Sequence, residues 1–438
     1  MTRAMKDSGI EWIGQIPENW ILTKIKYNNL IYTGNSISDN EKDNYQYQDN
    51  SVPYISTKDI DATTNSITYD TGMFISCMDK NFKIAPKNSS LLCIEGGSAG
   101  KKIGFTERDV CFVNKLCCFQ SLKKCLSKYI YYSLQSSSFL TDFFLSMSGL
   151  IGGVSTKQIK NIFLPIPPIS EQQKIADYLD KRCEKIDTAI DNQKQIIEKL
   201  KEYKQSLITE TVTKGLNPNV KMKDSGIEWI GSIPEHWAVR KLRYLFSCQN
   251  GISKSGEYFG KGFPFVSYGD VYKNNIIPEN VSQLCETNEE ERERYSVKKG
   301  DIFYTRTSET IEEIGLTSIC YQDIKDATFA GFLIRVRPTT QLLEIGFSKY
   351  YTSSNMHRRF FVKEMNLVTR ASLSQELLKR LPILLPPIDE QQKIAEYLDK
   401  KCNQIDVAIK QKEETISKLE EYKKSLIFEC VTGKKEVA

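Results

Sequence analysis

Residues 171–212 read EQQKIADYLDKRCEKIDTAIDNQKQIIEKLKEYKQSLITETV, 42 positions without a proline or a glycine. Such a stretch, rich in strong helix formers, predicts one long α-helix. Pro167 and Pro168 force an extended approach to it, and Ser170 is a suitable N-cap with Gln173 three residues on. Read in heptads, Ala176, Cys183, Ile190, Ile197, Lys204 and Thr211 fall at position a, and Leu179, Ile186, Gln193, Leu200 and Leu207 at position d. That pattern is a coiled-coil seam. At about 1.5 Å per residue the helix runs roughly 60 Å.

The chain also contains a partner for that seam. Residues 167–208 return as 386–427, offset by 219, with 27 of 42 positions identical. The second copy has Asp389 in the place of Ser170. Its a positions are Ala395, Cys402, Ile409, Ile416, Lys423 and Cys430, and its d positions Leu398, Ile405, Lys412, Leu419 and Leu426. A second repeat precedes each helix: residues 5–20, MKDSGIEWIGQIPENW, return as 222–237, MKDSGIEWIGSIPEHW, with 14 of 16 identical. All four tryptophans lie there, as Trp12, Trp20, Trp229 and Trp237. The stretches between the repeats, 21–163 and 238–380, match in length but hardly in sequence. The chain is therefore a duplicated module whose frame is kept and whose inserted domain is free to differ. Only a short linker, residues 214–219, leads from the first helix into the second module, so the second helix is expected to run back antiparallel to the first with a domain at either end. The alternative is that each helix packs on its own domain.

Both inserted domains read as mixed α/β with short strands. Residues 51–60 correspond to 263–271. In the first domain a strand from Leu91 leads into the loop Gly96 to Lys102. In the second, the run from Lys299 to Ser308 precedes Ile314. The first loop fails as a phosphate-binding Walker motif, because three residues separate its glycines and Lys102, not Ser or Thr, follows Lys101. It is either a DNA contact tipped by two cations or a solvated hairpin. The candidate DNA-contacting residues are Lys58, Ser98, Lys101 and Lys102 in the first domain, and Thr305, Arg306 and Thr307 in the second. Arg358, Arg359 and Arg370 form a further basic patch near Phe360 and Phe361, which would otherwise be a helix with its aromatics in the core and its charges in water.

No catalytic constellation is visible. Pro167-Pro168 lies between Ile166 and Ile169, and Pro386-Pro387 between Leu385 and Ile388, so neither has the flanking residues of an adenine-methylase motif. Two histidines in 438 residues exclude most His-based triads and zinc sites. No metal site is expected. Twelve cysteines are scattered, with no C-x-x-C, and read as reduced core thiols. With 60 Lys plus Arg against 55 Asp plus Glu, a net charge of +5 permits a polyanionic partner without requiring one. No stretch resembles a signal peptide or a membrane span, which predicts a cytoplasmic protein without a membrane partner.

The two tryptophan motifs, the two proline-EQQKIA-x-YLD steps and the seams behind them closely resemble the specificity subunit of type I restriction-modification systems, over the whole chain. The resemblance implies an α+β fold in which two α/β target recognition domains, residues 1–166 and 215–385, are separated by conserved helices, 167–214 and 386–438, paired as an antiparallel coiled coil with a pseudo-two-fold repeat. It implies a non-catalytic subunit that binds an asymmetric, bipartite double-stranded DNA target. Its partners would be two methylation subunits and two restriction subunits, which bind the S-adenosylmethionine, ATP and Mg. The tryptophans are either buried anchors or a docking surface for the methylation subunits. A free-standing DNA methyltransferase or nuclease would need the missing motifs. A coiled-coil adaptor that does not bind DNA would not need two divergent domains.

Overall fold

The computed structural model describes residues 3–149, 152–308, 314–364 and 371–437. Contacts divide the chain into two compact units. Unit 1 is Met1–Lys194 with Lys412–Ala438, and unit 2 is Gln195–Gln411. The helices implied by the gap-free stretches are present, Ile169–Lys214 and Ile388–Val431. Each begins one residue before the expected cap. The backbone N–H groups of Glu171 and Gln172 donate to the Pro168 carbonyl, and those of Glu390 and Gln391 to the Pro387 carbonyl, so the second proline of each step is the residue from which the helix hangs.

Unit 1 is built on two sheets. The first is antiparallel, in the order Asn29–Thr33, Leu116–Ser121, Ser90–Cys93, Ile103–Phe105. The second runs Phe74–Ser76, Ser51–Ile55, Val110–Phe112, Ile84–Ala85, with its middle strands parallel. Unit 2 repeats this plan in unrelated residues. Its first sheet is Phe246–Asn250, Leu333–Pro338, Ile302–Thr305, Thr317–Ile319, and its second is Leu284–Cys285, Phe259–Val266, Thr328–Phe329, again with a parallel pair. The strands at 51 and 259 both end in a capping box, Ser56 with Asp59 and Ser267 with Asp270, in which the serine hydroxyl meets the carboxylate at 2.6 Å. A two-stranded ribbon closes each domain, Ile21–Lys24 on Phe163–Ile166 and Ala238–Lys241 on Pro382–Leu385.

Each unit takes the beginning of one long helix and the end of the other. In unit 1, Ile175, Leu179, Cys183, Ile186 and Ile190 share a core with Leu426, Ile427, Cys430 and Val431, and with Trp20 and Tyr129 of the domain. In unit 2, Ile394, Leu398 and Cys402 share a core with Ile208, Val212 and Trp237. The helices in each unit are antiparallel, since the start of one packs with the end of the other, and an ion pair joins them: Lys423 Nζ lies 2.7 Å from both carboxylate oxygens of Asp187, and Lys204 Nζ 2.7 Å from both of Asp406. These two pairs occupy equivalent positions of the repeat. The seam residues Ile197 and Ile405 are buried, while Leu200, Leu207, Ile409, Ile416 and Leu419 are half-buried. The helices thus also pack on the domains, so the two sequence-level alternatives coexist.

The polar residues of the repeated motif explain why both copies keep it. Glu171 Oε2 accepts from Trp20 Nε1, and Glu390 Oε2 from Trp237 Nε1, each at 3.0 Å. The buried Gln172 amide donates to the Pro167 carbonyl at 2.9 Å and accepts from the Leu126 N–H at 2.7 Å, while Gln391 donates to the Pro386 carbonyl and accepts from the Glu344 N–H, both at 2.8 Å. Asp180 accepts from Tyr132 Oη at 2.6 Å and Asp399 from Tyr350 Oη at 2.7 Å. Each group satisfies a donor that burial would otherwise strand, and together they lock ribbon, helix and domain.

Candidate nucleic-acid interface

The glycine loop of unit 1 leaves the central sheet after Cys93. Gly96 and Gly100 have φ of +82° and +73°, the left-handed region that favours glycine, and a Cβ on Gly100 would sit 2.8 Å from the Phe144 ring. The Lys102 ammonium donates to the Thr57 carbonyl at 2.8 Å, which ties this loop to the capping-box turn that carries Lys58. The structure therefore brings Lys58, Ser98, Lys101 and Lys102 into one neighbourhood. Lys58 and Lys101 are exposed, Ser98 and Lys102 half-buried. Lys101 Nζ donates to the Gly97 carbonyl at 3.1 Å, a contact that an anion can replace at little cost. Beside them Asp61 holds its own loop, accepting from the Thr63 and Thr64 N–H groups at 2.8 and 2.7 Å. The Thr64 and Thr63 backbone bonds lower its pKa below the usual carboxylate value, with a smaller contribution from Lys102.

Arg306 occupies the corresponding place in unit 2. Its N–H donates to the Phe332 carbonyl at 2.9 Å, as that of Ile94 does to Lys115 at 3.0 Å. It is half-buried, with Nη1 3.5 Å from the Gly331 carbonyl, and Thr307 is half-buried beside it. Thr305 is different: it is fully buried, and its hydroxyl accepts from the Leu316 N–H at 2.9 Å, so it supports the loop from within and has no surface for a base.

The other basic patch is not a second loop of this kind. Phe360 and Phe361 are in the core, and exposed Arg359 donates to the Trp229 carbonyl at 3.4 Å on the helix Asn355–Glu364, beside Lys363, whose ammonium lies 5.0 Å from the Trp229 ring centre. It abuts the tryptophan motif. Arg370 and the Arg358 side chain lie outside the described residues. Trp20 and Trp237, buried to 0% and 1% exposure, have no ring surface to offer a partner, which corrects the expectation that all four tryptophans could dock one; Trp12 and Trp229 are half-buried.

Sequence reading missed Arg335 and Arg337. Arg337 grips the buried Asp301 through two bonds of 2.6 Å, and Arg335, buried in the central sheet, has its pKa lowered to about 10, chiefly by desolvation and then by Arg337. Both donate to the Ser296 carbonyl, so their role is in the core. Alternation along LIRVRP gives no sign that a cation faces inward. Among the described residues no cluster of metal-ligating side chains occurs, and no helix is long and apolar enough to cross a membrane.

The sequence matches the type I restriction modification DNA specificity domain twice, over residues 29–202 and 234–418. The chain belongs to this family. It is similar to the EcoKI specificity subunit of Escherichia coli K12, 23% identical over 96% of this chain and 90% of that one. It is also similar to the MjaVIII specificity subunit of Methanocaldococcus jannaschii, 26% identical over 96% and 94%. Among solved structures, a chain from a study of complex assembly in the type I R-M system superposes with a TM-score of 0.74 at 15% identity, covering 96% of this chain and 99% of that one. The HsdS subunit of Thermoanaerobacter tengcongensis gives 0.52 at 16%, covering 96% and 98%. The specificity subunit is a DNA-targeting component and not the catalytic one, and the absence of a catalytic constellation from the sequence agrees with that division of labour.

Proposed function

We propose that this specificity subunit reads an asymmetric DNA target in two parts, one with each unit, and directs two methylation and two restriction subunits to it. One observation carries the reading: the units share the four-strand order of their first sheets and three strands of their second, with its parallel pair and capping box, while the loops leaving equivalent strands carry different side chains. A common scaffold with two loop sets suits two different half-sites on one kind of ligand. Residues 1–166 and 215–385 are the recognition domains, and 167–214 and 386–438 the helical frame. The exposed or half-buried cations Lys58, Lys101, Lys102 and Arg306 contact phosphates and base edges, with Ser98 and Thr307 beside them. S-adenosylmethionine, ATP and Mg belong to the partner subunits, and the complex works in the cytoplasm on double-stranded DNA.

Exchange of residues 21–163 for the same segment of another specificity subunit tests this. Methylome sequencing of the host is expected to show one half of the split motif changed and the other kept. A change in both halves refutes independent reading.

A further inference from the structure

Beyond the repeated tryptophan motifs, each half carries cations four and six residues past its buried tryptophan, followed by a tyrosine: Lys24, Lys26 and Tyr27 after Trp20, and Lys241, Arg243 and Tyr244 after Trp237. Each set ends a ribbon strand and fills the 3-10 turn after it, Ile25–Tyr27 or Leu242–Tyr244. The turn buries its first residue, Ile25 or Leu242, and leaves Tyr27 and Tyr244 66% and 60% exposed. Lys26 Nζ lies 5.2 Å from the Tyr27 ring centre, and the Arg243 guanidinium 4.9 Å from that of Tyr244. A further cation, Lys160 or Lys379, comes shortly before the opposite ribbon strand.

In unit 1, Lys24 Nζ and Lys26 Nζ each lie 3.4 Å from Asn161 Oδ1. Two ammonium groups sharing one neutral oxygen keep most of their charge uncompensated. Among the described residues no carboxylate is within ion-pair distance of Lys24, Lys26 or Lys160, or of Lys241 and Arg243 in unit 2. Unit 2 is partly neutralised, since Lys379 pairs with Glu376 at 2.7 Å and Arg380 with Glu364.

The halves do not share the apolar surroundings. Exposed Ile21 and Leu30 of unit 1 have Ala238 and Ser247 in their places. A protein docked twice would be expected to need a repeated apolar centre. Phosphate needs repeated donors, and a pair of cations followed by a phenol is what both copies keep. The sugar-phosphate backbone is also the same ligand whatever bases a half-site contains, so the frame can grip it identically while the loops diverge.

We propose that Lys24, Lys26 and Lys160 in unit 1, and Lys241, Arg243 and Tyr244 in unit 2, clasp the phosphate backbone of duplex DNA and position each unit without reading sequence. The inference rests on the DNA-recognition reading above. In both central sheets the clasp lies at the opposite end from the candidate reading loop: the Asn29–Ser121 pair is at the clasp end, the Cys93–Leu116 pair at the loop end.

The test uses the full chain copurified with its methylation subunits. Affinity is measured from 50 to 200 mM salt on a mixed-sequence duplex and on the duplex identified by methylome sequencing. Lys24→Ala/Lys26→Ala/Lys160→Ala is expected to lower the slope of log affinity against log salt by about 0.9 per lost phosphate contact, and so by between two and three in all. Lys241→Ala/Arg243→Ala is expected to lower it by up to about two. Both duplexes should weaken by the same factor, with hydrogen exchange of the core unchanged. An unchanged slope overturns the proposal. Loss of the methylation subunits at an unchanged slope overturns it in favour of a protein interface, and altered discrimination overturns it in favour of base reading. If the wild-type complex binds neither duplex, the recognition reading itself fails.

Discussion

The antiparallel register of the helices can be tested by exchanging the charges of one ion pair. Lys423 sits at an a position, and its ammonium is held by both oxygens of Asp187 at 2.7 Å, with side-chain exposures of 15% and 35%. In Asp187→Lys the attraction is lost and two cations face each other. At about 5 Å and an effective dielectric of about 20 the repulsion reaches about 3 kcal/mol, which side-chain rotation toward water reduces to about 1–2 kcal/mol. The exchange Asp187→Lys/Lys423→Asp restores the pairing with its polarity reversed, and is expected to recover about 1 kcal/mol of that loss. Hydrogen exchange read by mass spectrometry suits a chain with two compact units, because each reports its own opening. Exchange of peptides within 175–190 and 419–431 should accelerate several-fold in Asp187→Lys and return most of the way in the exchanged variant, while peptides within 195–411 stay as in the wild type. If the double variant is no better protected than the single one, the pair does not set the register. The equivalent pair in unit 2, Lys204 with Asp406, is more exposed at 25% and 54%, and its coupling should be smaller.

Lys101→Ala/Lys102→Ala should weaken DNA binding and its salt dependence, and Arg306→Ala should also relax specificity in the half-site read by unit 2; unaltered binding and discrimination in both would remove these loops from the interface. Glu171→Ala strands the indole N–H of fully buried Trp20 and should destabilise unit 1 by about 1–3 kcal/mol. Faster exchange confined to unit 1 is the expected readout, and an equal effect in unit 2 would contradict it. Because the folded-state pKa of Asp61 is lowered, its contribution is full above the unfolded carboxylate pKa and disappears only as pH falls through the lower folded value. The Thr63 and Thr64 amides should thus stay protected through mildly acidic pH in the wild type and lose that protection at neutral pH in Asp61→Asn. Equal protection in the two proteins at neutral pH would show that the carboxylate does not hold the loop.

What the sequence revealed depended on what it repeats. Identity between the halves exposes the helices, the proline steps and the tryptophan motifs, and the strand-turn pairing of residues 51–60 with 263–271 can be read even without identity, because capping chemistry constrains it. The helix start was placed two residues late because a backbone carbonyl, that of Pro168 or Pro387, holds each first turn, and no side chain advertises it. Motif boundaries also say little about packing, since the compact units divide within both helices, at 194/195 and 411/412, where the heptads run on unbroken. Thr305 and Arg306 are neighbours in sequence, yet one is in the core and the other half-buried, an outcome set by where the loop leaves the strand Ile302–Thr305, which is buried at every position. The repeated cations at 24, 26, 241 and 243 went unnoticed because Lys and Arg are interchanged within them and identity fades after the tryptophan.

Unit 2 is one continuous segment inserted into unit 1, which is completed only by residues 412–438. A chain emerging from the ribosome can therefore finish its second unit before its first. Until then the unit 1 faces of Ile175, Leu179, Cys183, Ile186 and Ile190 lack Leu426, Ile427, Cys430 and Val431, and the Tyr129 hydroxyl lacks the Val431 carbonyl that accepts from it at 3.0 Å. For that interval the earliest-made domain is the least mature, with an apolar stripe open to chaperones and to the C-terminal helix of a neighbouring nascent chain. Synthesis order and folding order are reversed, and losses near the C-terminus should be felt first at the domain nearest the N-terminus.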